Sequence, residues 1–188
     1  MQVLKEKVRQ KILSAAEMVF YKKDYRSATV ADIAGKAGVP VALIYTYFNS
    51  KAVLFDAVVN SVYVNFSTAL DKEERAHGSA VSRFEAAGEK YIHELLKNHR
   101  AVVILMDKSS GTKHAGAKQT VVRQLQRHIE HGLRRRVAAS YDPKLAHILA
   151  NNFVEGLLEI ARHYRNDEWA RTMLRLMTQC YYSGVESL

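Results

Sequence analysis

Apolar residues recur at helical spacing from the first turns of the chain. From Lys5 to about Lys23, the residues Val8, Ile12, Leu13, Ala15, Ala16, Val19 and Phe20 return at steps of three and four, which predicts one amphipathic helix. "DYRSAT" interrupts the pattern, and Thr29 then stands where an N-cap belongs, its hydroxyl able to accept from an amide two or three residues on. Asp32 falls in the first turn, where a carboxylate suits the positive end of the helix dipole. Ile33, Ala34 and Ala37 supply the inner side of a helix of about two turns. Gly38 can take the positive φ that ends a helix, and Val39 can plug the space between two helices. Pro40 fits the first turn of a following helix, where its missing amide proton would have had no partner. Leu43 or Ile44, with Phe48, can face inward. The expectation is two short helices joined by a tight turn and braced by the long helix before them.

"NSKAVLFDAVVNSVYVNFSTAL" reads as a further helix capped by Ser50. Its apolar positions Val53, Leu54, Val58, Val59, Val62, Tyr63 and Phe66 wrap more than half the circumference, so burial on both sides is expected. After the charged break "DKEERAHGS", helical patterns resume at about Val81–Lys97, Arg100–Lys108, Ala117–Ala139, Lys144–Tyr164 and Glu168–Tyr182. "SSGTKHAG", "SYDP" and "RND" separate the later ones. With 2 prolines, 9 glycines and 48% hydrophobic residues in 188, the composition favours long helices over a many-stranded sandwich. An all-α protein is expected, with residues 1–50 as a helix-turn-helix head and 51–188 as a larger helical domain.

Charge sharpens this picture. The formal net charge is +9, concentrated in residues 1–51 and in residues 118–136, each at +5. A basic surface attracts polyanions, although a charged helix face also serves solubility alone. The run Arg134, Arg135, Arg136 ends a helix, where cations complement the negative end of the dipole. No apolar run is long enough to span a bilayer, and "MQVLKEKVRQK" lacks the apolar region of a signal peptide, so a cytoplasmic protein without membrane attachment is expected. Cys180 is the only cysteine, which excludes an intrachain disulfide and suggests a buried small hydrophobe.

The ordered series "ILSAAEMVFYKKDYRSATVADIAGKAGV" followed by "IYTYFNSKAVLFDAV" resembles the TetR family of bacterial transcription regulators over about residues 8–56. The remaining two thirds are similar only in length and helical pattern. The resemblance implies an Ω-shaped homodimer with a three-helix DNA head and a larger domain that binds a small effector. By family position, Thr29, Tyr45, Tyr47 and Lys51 should touch the backbone of double-stranded DNA, while Val41, Ala42, Leu43 and Thr46 face the bases. Positions that often carry Lys, Arg, Ser or Thr in the family are here Val41 and Leu43. Apolar side chains make no bidentate bonds to guanine or adenine but pack on thymine methyls. Specificity therefore leans on thymine contacts and DNA shape, or residues outside this helix contribute.

Other chemistry finds little support. Gly111 and Gly116 in "GTKHAGAKQT" are spaced like a phosphate loop, but the lysine comes one residue late, Gln119 is no hydroxyl ligand, and no strand precedes. His128 and His131 share a helix face without a second pair nearby, and Glu74-x-x-His77 occurs once where a di-iron bundle needs two such motifs. With no nucleophile elbow either, the expectation is a non-enzyme without metal or cofactor. Effector walls are expected from Tyr63, Phe66, Phe84, Tyr91, Met106 and Phe153, with His128 and Asn152, together with Asn65 and Glu155, as polar groups; many apolar walls with few polar anchors imply a hydrophobic small molecule. The last two helices carry apolar faces, Leu149, Phe153, Gly156, Leu157, Ile160 and Tyr164, then Trp169, Met173, Leu176, Met177 and Cys180, which suit a four-helix dimer interface. The expected function is a repressor released from a palindromic operator by that molecule. The alternatives are an activator or ligand-independent regulator of the same fold and, from another class, a helical ligand-binding or catalytic bundle.

Overall fold

The computed structural model describes residues 2–75, 77, 89–136, 142 and 144–186. Among these residues there are nine α-helices and no strand: α1 (Gln2–Lys22), α2 (Val30–Ala37), α3 (Val41–Tyr47), α4 (Lys51–Arg75), α5 (Glu89–Lys97), α6 (His99–Asp107), α7 (Ala117–Arg136), α8 (Lys144–Arg162) and α9 (Asp167–Glu186). The chain divides into two compact units, one of Met1–Val62 with Arg100–Ala115 and one of Tyr63–His99 with Gly116–Leu188.

The first unit is built on the inner stripe of α1, where Ile12, Ala15, Ala16, Val19 and Phe20 are buried, as the periodicity predicts. Ile33, Ala34 and Ala37 of α2, Ile44 of α3, Phe48, and Leu54, Phe55, Val59 and Val62 of α4 complete the core. Phe20 and Phe55 meet edge to face at 5.1 Å, and Tyr25 meets Phe55 in the same way at 5.2 Å, a geometry in which the positive edge of one ring lies on the negative face of the other. Residues 100–115 belong to this unit, with five consecutive buried residues, Ala101 to Leu105. Their polar ties are local and specific. Tyr25 N donates to the Lys108 carbonyl at 3.0 Å, Arg100 lies 3.9 Å from Glu17, and Asp56 binds both Lys113 (2.5 Å) and His114 (2.7 Å). Burial raises the Asp56 pKa, but the hydrogen bonds from Lys113 and His114 outweigh it and hold the carboxyl below its ordinary value. Burial pushes Glu17 up, with Arg100 opposing.

In the second unit α7 packs along α8, α8 on α9, and α9 on α5. Val121, Val122, Leu125 and Ile129 of α7 and Ala146, Ala150, Phe153, Val154, Leu157, Leu158 and Ala161 of α8 are buried where the two helices pack. Gly156 allows α8 and α9 to approach closely, because a Cβ there would lie 2.5 Å from Met177 Sδ. Glu155 joins Lys118 of α7 and Arg162 of α8, at 2.8 Å for the latter; those two hydrogen bonds lower its pKa against the effect of burial.

Several expectations need correction. Cys180 is exposed rather than buried, because the inner line of α9 runs through Ala170, Leu174, Thr178 and Tyr182, and residue 180 lies about 200° around the helix from residue 178. Val53, expected on the apolar side of α4, is 45% exposed, whereas Phe55, two residues on and about 200° around the helix, is fully buried. Pro40 sits one place earlier than expected, as the N-cap of α3 with φ −61°. Of the expected helix Val81–Lys97, Glu89–Lys97 is described; residues 78–88 lie outside the described residues.

Candidate nucleic-acid interface

Local chemistry fixes the α2–turn–α3 segment at both ends. Thr29 Oγ1 accepts from the Asp32 amide at 3.0 Å and donates to Asp32 Oδ2 at 2.9 Å, while Thr29 N donates to the same oxygen at 2.9 Å. This capping box satisfies amides that the helix start leaves open. Lys23 approaches Asp32 at 2.8 Å, and its hydrogen bond, ahead of those from Thr29, lowers the carboxyl to about 2. At the other end Gly38 takes φ 59°, ψ 44°, and Val39 N donates back to the Ala34 carbonyl at 3.1 Å, a left-handed cap that glycine adopts without a Cβ penalty.

Alpha-3 is seven residues long and is held by what it buries. Ile44 is 1% exposed and Phe48 3%, and Arg9 lies 5.5 Å over the Phe48 ring. The opposite side is open: Val41 is 40% and Tyr45 50% exposed, with Ala42 and Thr46 also exposed, whereas Leu43 and Tyr47 are half-buried. Thr46 Oγ1 donates to the Ala42 carbonyl at 3.2 Å. The side chains expected to face bases are thus Val41, Ala42 and Thr46 on the outside and Leu43 at its margin.

Ser50 accepts from Val53 N at 3.2 Å, opening α4 as expected. Lys51 is half-buried, and its ammonium donates to the carbonyls of Tyr25 (2.8 Å) and Ala28 (2.9 Å), lying 4.3 Å over the Tyr25 ring. Two of its three donors therefore tie α4 to the α1–α2 connection. The sequence reading gave Lys51 only an outward role.

The expected effector residues fall as follows. Tyr91 and His128 are half-buried, Phe153 is buried with its ring 5.1 Å from that of Tyr181, and Asn152 is exposed, all in the second unit. Met106 is half-buried in the first unit. The side chains of Tyr63, Phe66 and Asn65, and all of Phe84, lie outside the described residues. Three polar residues are buried among the described residues, His93, Ser109 and Thr178, and none of them was anticipated from the sequence. His93 on α5 is 4% exposed, and neither ring nitrogen has a hydrogen-bond partner among the described residues. Its Nε2 lies 4.0 Å from Asp167. Burial, then the Arg171 charge, lowers its pKa. Its place among Ile92, Leu95 and Leu96 was the available signal. Among the described residues no group of three or more His, Cys, Asp or Glu side chains is placed to hold a metal ion, and no helix is long and apolar enough to cross a membrane.

The family description "Bacterial regulatory proteins, tetR family" matches residues 12–58. Over 58 residues the chain is 43% identical to the HTH-type transcriptional regulator TtgR of Pseudomonas putida, a match spanning 31% of this chain and only 28% of that relative. Its fold is similar to that of NalD, the secondary repressor of the MexAB-OprM multidrug efflux pump in Pseudomonas aeruginosa, with TM-score 0.60 and 22% identity over 93% of this chain and 96% of that one. A TetR-like transcriptional regulator from Rhodococcus sp. RHA1 gives TM-score 0.64 at 20% identity, covering 94% and 96% of the two chains. At these identities the likeness is one of fold. The matched segment is the one whose caps, turn and inward anchors build the α2–α3 head, and over residues 12–58 the chain is similar to the tetR family of bacterial regulatory proteins.

Proposed function

We propose that the chain is a cytoplasmic, non-enzymatic transcription regulator that binds a palindromic operator in double-stranded DNA as a homodimer and represses until a small hydrophobic molecule releases it. The observation that carries this reading is the geometry of α3: two inward anchors, Ile44 and Phe48, hold a short helix whose other face is left to solvent. In a helix-turn-helix the second helix, supported in this way, enters the major groove. In this reading residues 1–50 form the DNA head, with Thr29, Tyr45, Tyr47 and Lys51 at phosphates and Val41, Ala42, Leu43 and Thr46 at bases. Residues 51–188 dimerise and bind the effector. Of the face expected on α8 for pairing, Phe153, Leu157 and Ile160 are buried within the single chain, so what supports the pairing of two copies is the apolar groups left exposed on the last two helices, Ile148 (53%) and Leu176 (43%), with Cys180. The role of NalD as a secondary repressor favours repression over activation.

Fluorescence anisotropy of the full chain on duplexes enriched from a randomised pool tests the DNA reading, and sedimentation of wild type and Leu176→Glu tests the dimer. Saturable binding to a palindrome by wild type, with a monomeric and weakly binding Leu176→Glu, is expected. Failure to enrich any duplex would leave the helical-bundle alternative. A thermal-shift screen of apolar and aromatic metabolites tests release: a hit that also lowers operator affinity supports an inducible repressor, because a ligand must bind the two states unequally to shift them. Operator binding untouched by every compound would favour the ligand-independent alternative.

A further inference from the structure

The outward face of α3 has an unusual composition for a helix that reads bases. At 100° per residue, Val41, Tyr45, Ala42 and Thr46 span an arc of about 140°, and all four are exposed. None is charged, and none is an amide. The groups that make bidentate contacts, Arg or Lys to guanine and Asn or Gln to adenine, are therefore missing from the arc. Thr46 carries a hydroxyl, but that hydroxyl donates to the Ala42 carbonyl within the helix. Its proton is committed, so toward a base edge Thr46 offers its methyl and the acceptor lone pairs of the oxygen, with no donor. Tyr45 is the single phenol, and its length suits a phosphate at the groove margin. Apart from the Tyr45 phenol, what the arc presents is hydrocarbon: the isopropyl group of Val41 and the methyl of Thr46 at its two edges, and the methyl of Ala42 between them.

Resting on the DNA-binding reading above, we propose that this chain reads its operator chiefly through the 5-methyl groups of thymines, which pack against Val41, Ala42 and the Thr46 methyl. The major groove displays one apolar feature among its donors and acceptors, and that feature is the thymine methyl. A hydrocarbon face discriminates by burying it. The half-site opposite α3 therefore holds thymines, on either strand, where another regulator would require guanine.

Replacing thymidine by deoxyuridine removes the methyl and leaves the Watson–Crick edge and the O4 acceptor intact. Duplexes enriched by the full chain from a randomised pool are resynthesised with single deoxyuridines in one half-site, and anisotropy is measured at two salt concentrations. Burial of one methyl group converts to about a fourfold loss of affinity for each critical thymine. The salt slope is expected to stay constant because no phosphate contact is lost. A cytosine placed at a critical position should bind less well, and 5-methylcytosine at the same position should recover part of the loss. Two protein variants give an independent arm. Thr46→Val keeps the methyl and removes the hydroxyl, so the preference for thymine over deoxyuridine should persist; Thr46→Ser removes the methyl and should shrink that preference, weakening binding to the thymine duplex more than to its deoxyuridine counterpart.

Affinity unchanged by deoxyuridine at every position, with a duplex nonetheless enriched, would overturn this inference, assign specificity to DNA shape and leave the DNA-binding function standing. Loss of the thymine preference with Thr46→Val would assign the contact to the hydroxyl and overturn it as well. If no duplex is enriched, the functional reading falls and this inference with it.

Discussion

Lys51→Met isolates the contribution of one ammonium to the head. The substitution keeps the apolar stem and removes two hydrogen bonds, to the carbonyls of Tyr25 at 2.8 Å and Ala28 at 2.9 Å, along with a cation over the Tyr25 ring at 4.3 Å. Hydrogen bonds to charged groups contribute about 1.5–3 kcal/mol each, and a cation over an aromatic face adds roughly 0.5–1 kcal/mol at a site open to solvent. Lys51 is half-buried, so water replaces part of what the carbonyls lose. The low ends of these ranges total about 3.5 kcal/mol, which solvent access reduces to a net destabilisation of roughly 2–3 kcal/mol. For a chain of this length that corresponds to a fall in Tm of roughly 4–12 °C. Trp169 is the only tryptophan and lies in the other unit, so its fluorescence does not follow the head. Amide hydrogen exchange over residues 24–37 does, and protection there should drop while that in α8 is unchanged. If Lys51 also uses its third donor on a phosphate, the salt slope of DNA binding falls by about one unit as well. Unchanged protection over 24–37 with a Tm within about 1 °C of wild type would refute the latch.

Other substitutions test neighbouring steps of the argument. Gly38→Ala forces a Cβ into the left-handed region at φ 59°, where it meets nothing nearer than Lys11 Nζ at 3.7 Å; strain alone should cost about 1–2 kcal/mol, read as a lower urea midpoint. Asp32 has its folded pKa depressed from 3.8 to about 2, so its stabilising contribution is present above 3.8 and is lost as pH falls toward 2. Asp32→Asn should flatten that part of the acid-unfolding curve, and an unchanged curve would contradict the capping role. His93 has a folded pKa below 6.5 through burial, then Arg171 and Lys97 opposing Asp167 and Glu94. As pH falls through 6.5 the unfolded chain takes up the proton first, so stability present above 6.5 declines on the way down. Urea midpoints from pH 7.5 to 5 should fall less steeply for His93→Leu than for wild type, and parallel slopes would remove the assignment.

The parts of the head that could be read from sequence are those whose causes act within a few residues. Thr29 and Asp32 satisfy each other three positions apart, and Gly38 and Pro40 announce a stop and a restart through their own backbone limits. Lys51 illustrates the opposite case. Its partners lie 26 and 23 residues upstream, and a lysine at a helix start gives no sign of turning back to carbonyls. The run Ala101 to Leu105 likewise declares burial without a period, so nothing in it names the neighbours that cover it. Apolar composition also misplaced Cys180 and Val53, because a residue's affinity for the interior does not say which side of its helix faces inward. In the second unit, effector chemistry was hardest to read: aromatic and apolar residues fill cores and line cavities with the same periodicity.

A seven-residue helix has too few hydrogen bonds to persist alone, so α3 exists because its surroundings hold it. That separates two kinds of residue within one turn. Ile44 is 1% exposed and belongs to the support, whereas Val41, three residues earlier, is 40% exposed and contributes little to it. Ile44→Ala should destabilise the chain by about 2–5 kcal/mol, the usual result of emptying a core site, and should weaken binding to all duplexes in proportion to the unfolded fraction. Val41→Ala should change stability by no more than about 0.5 kcal/mol, and its effect should appear instead as altered preference among duplexes at fixed salt. Measuring both variants by urea unfolding and by anisotropy on two related duplexes checks the separation. Equal loss of stability in the two, or a change of preference with Ile44→Ala alone, would mean that the exposed face of α3 is not the surface that meets DNA.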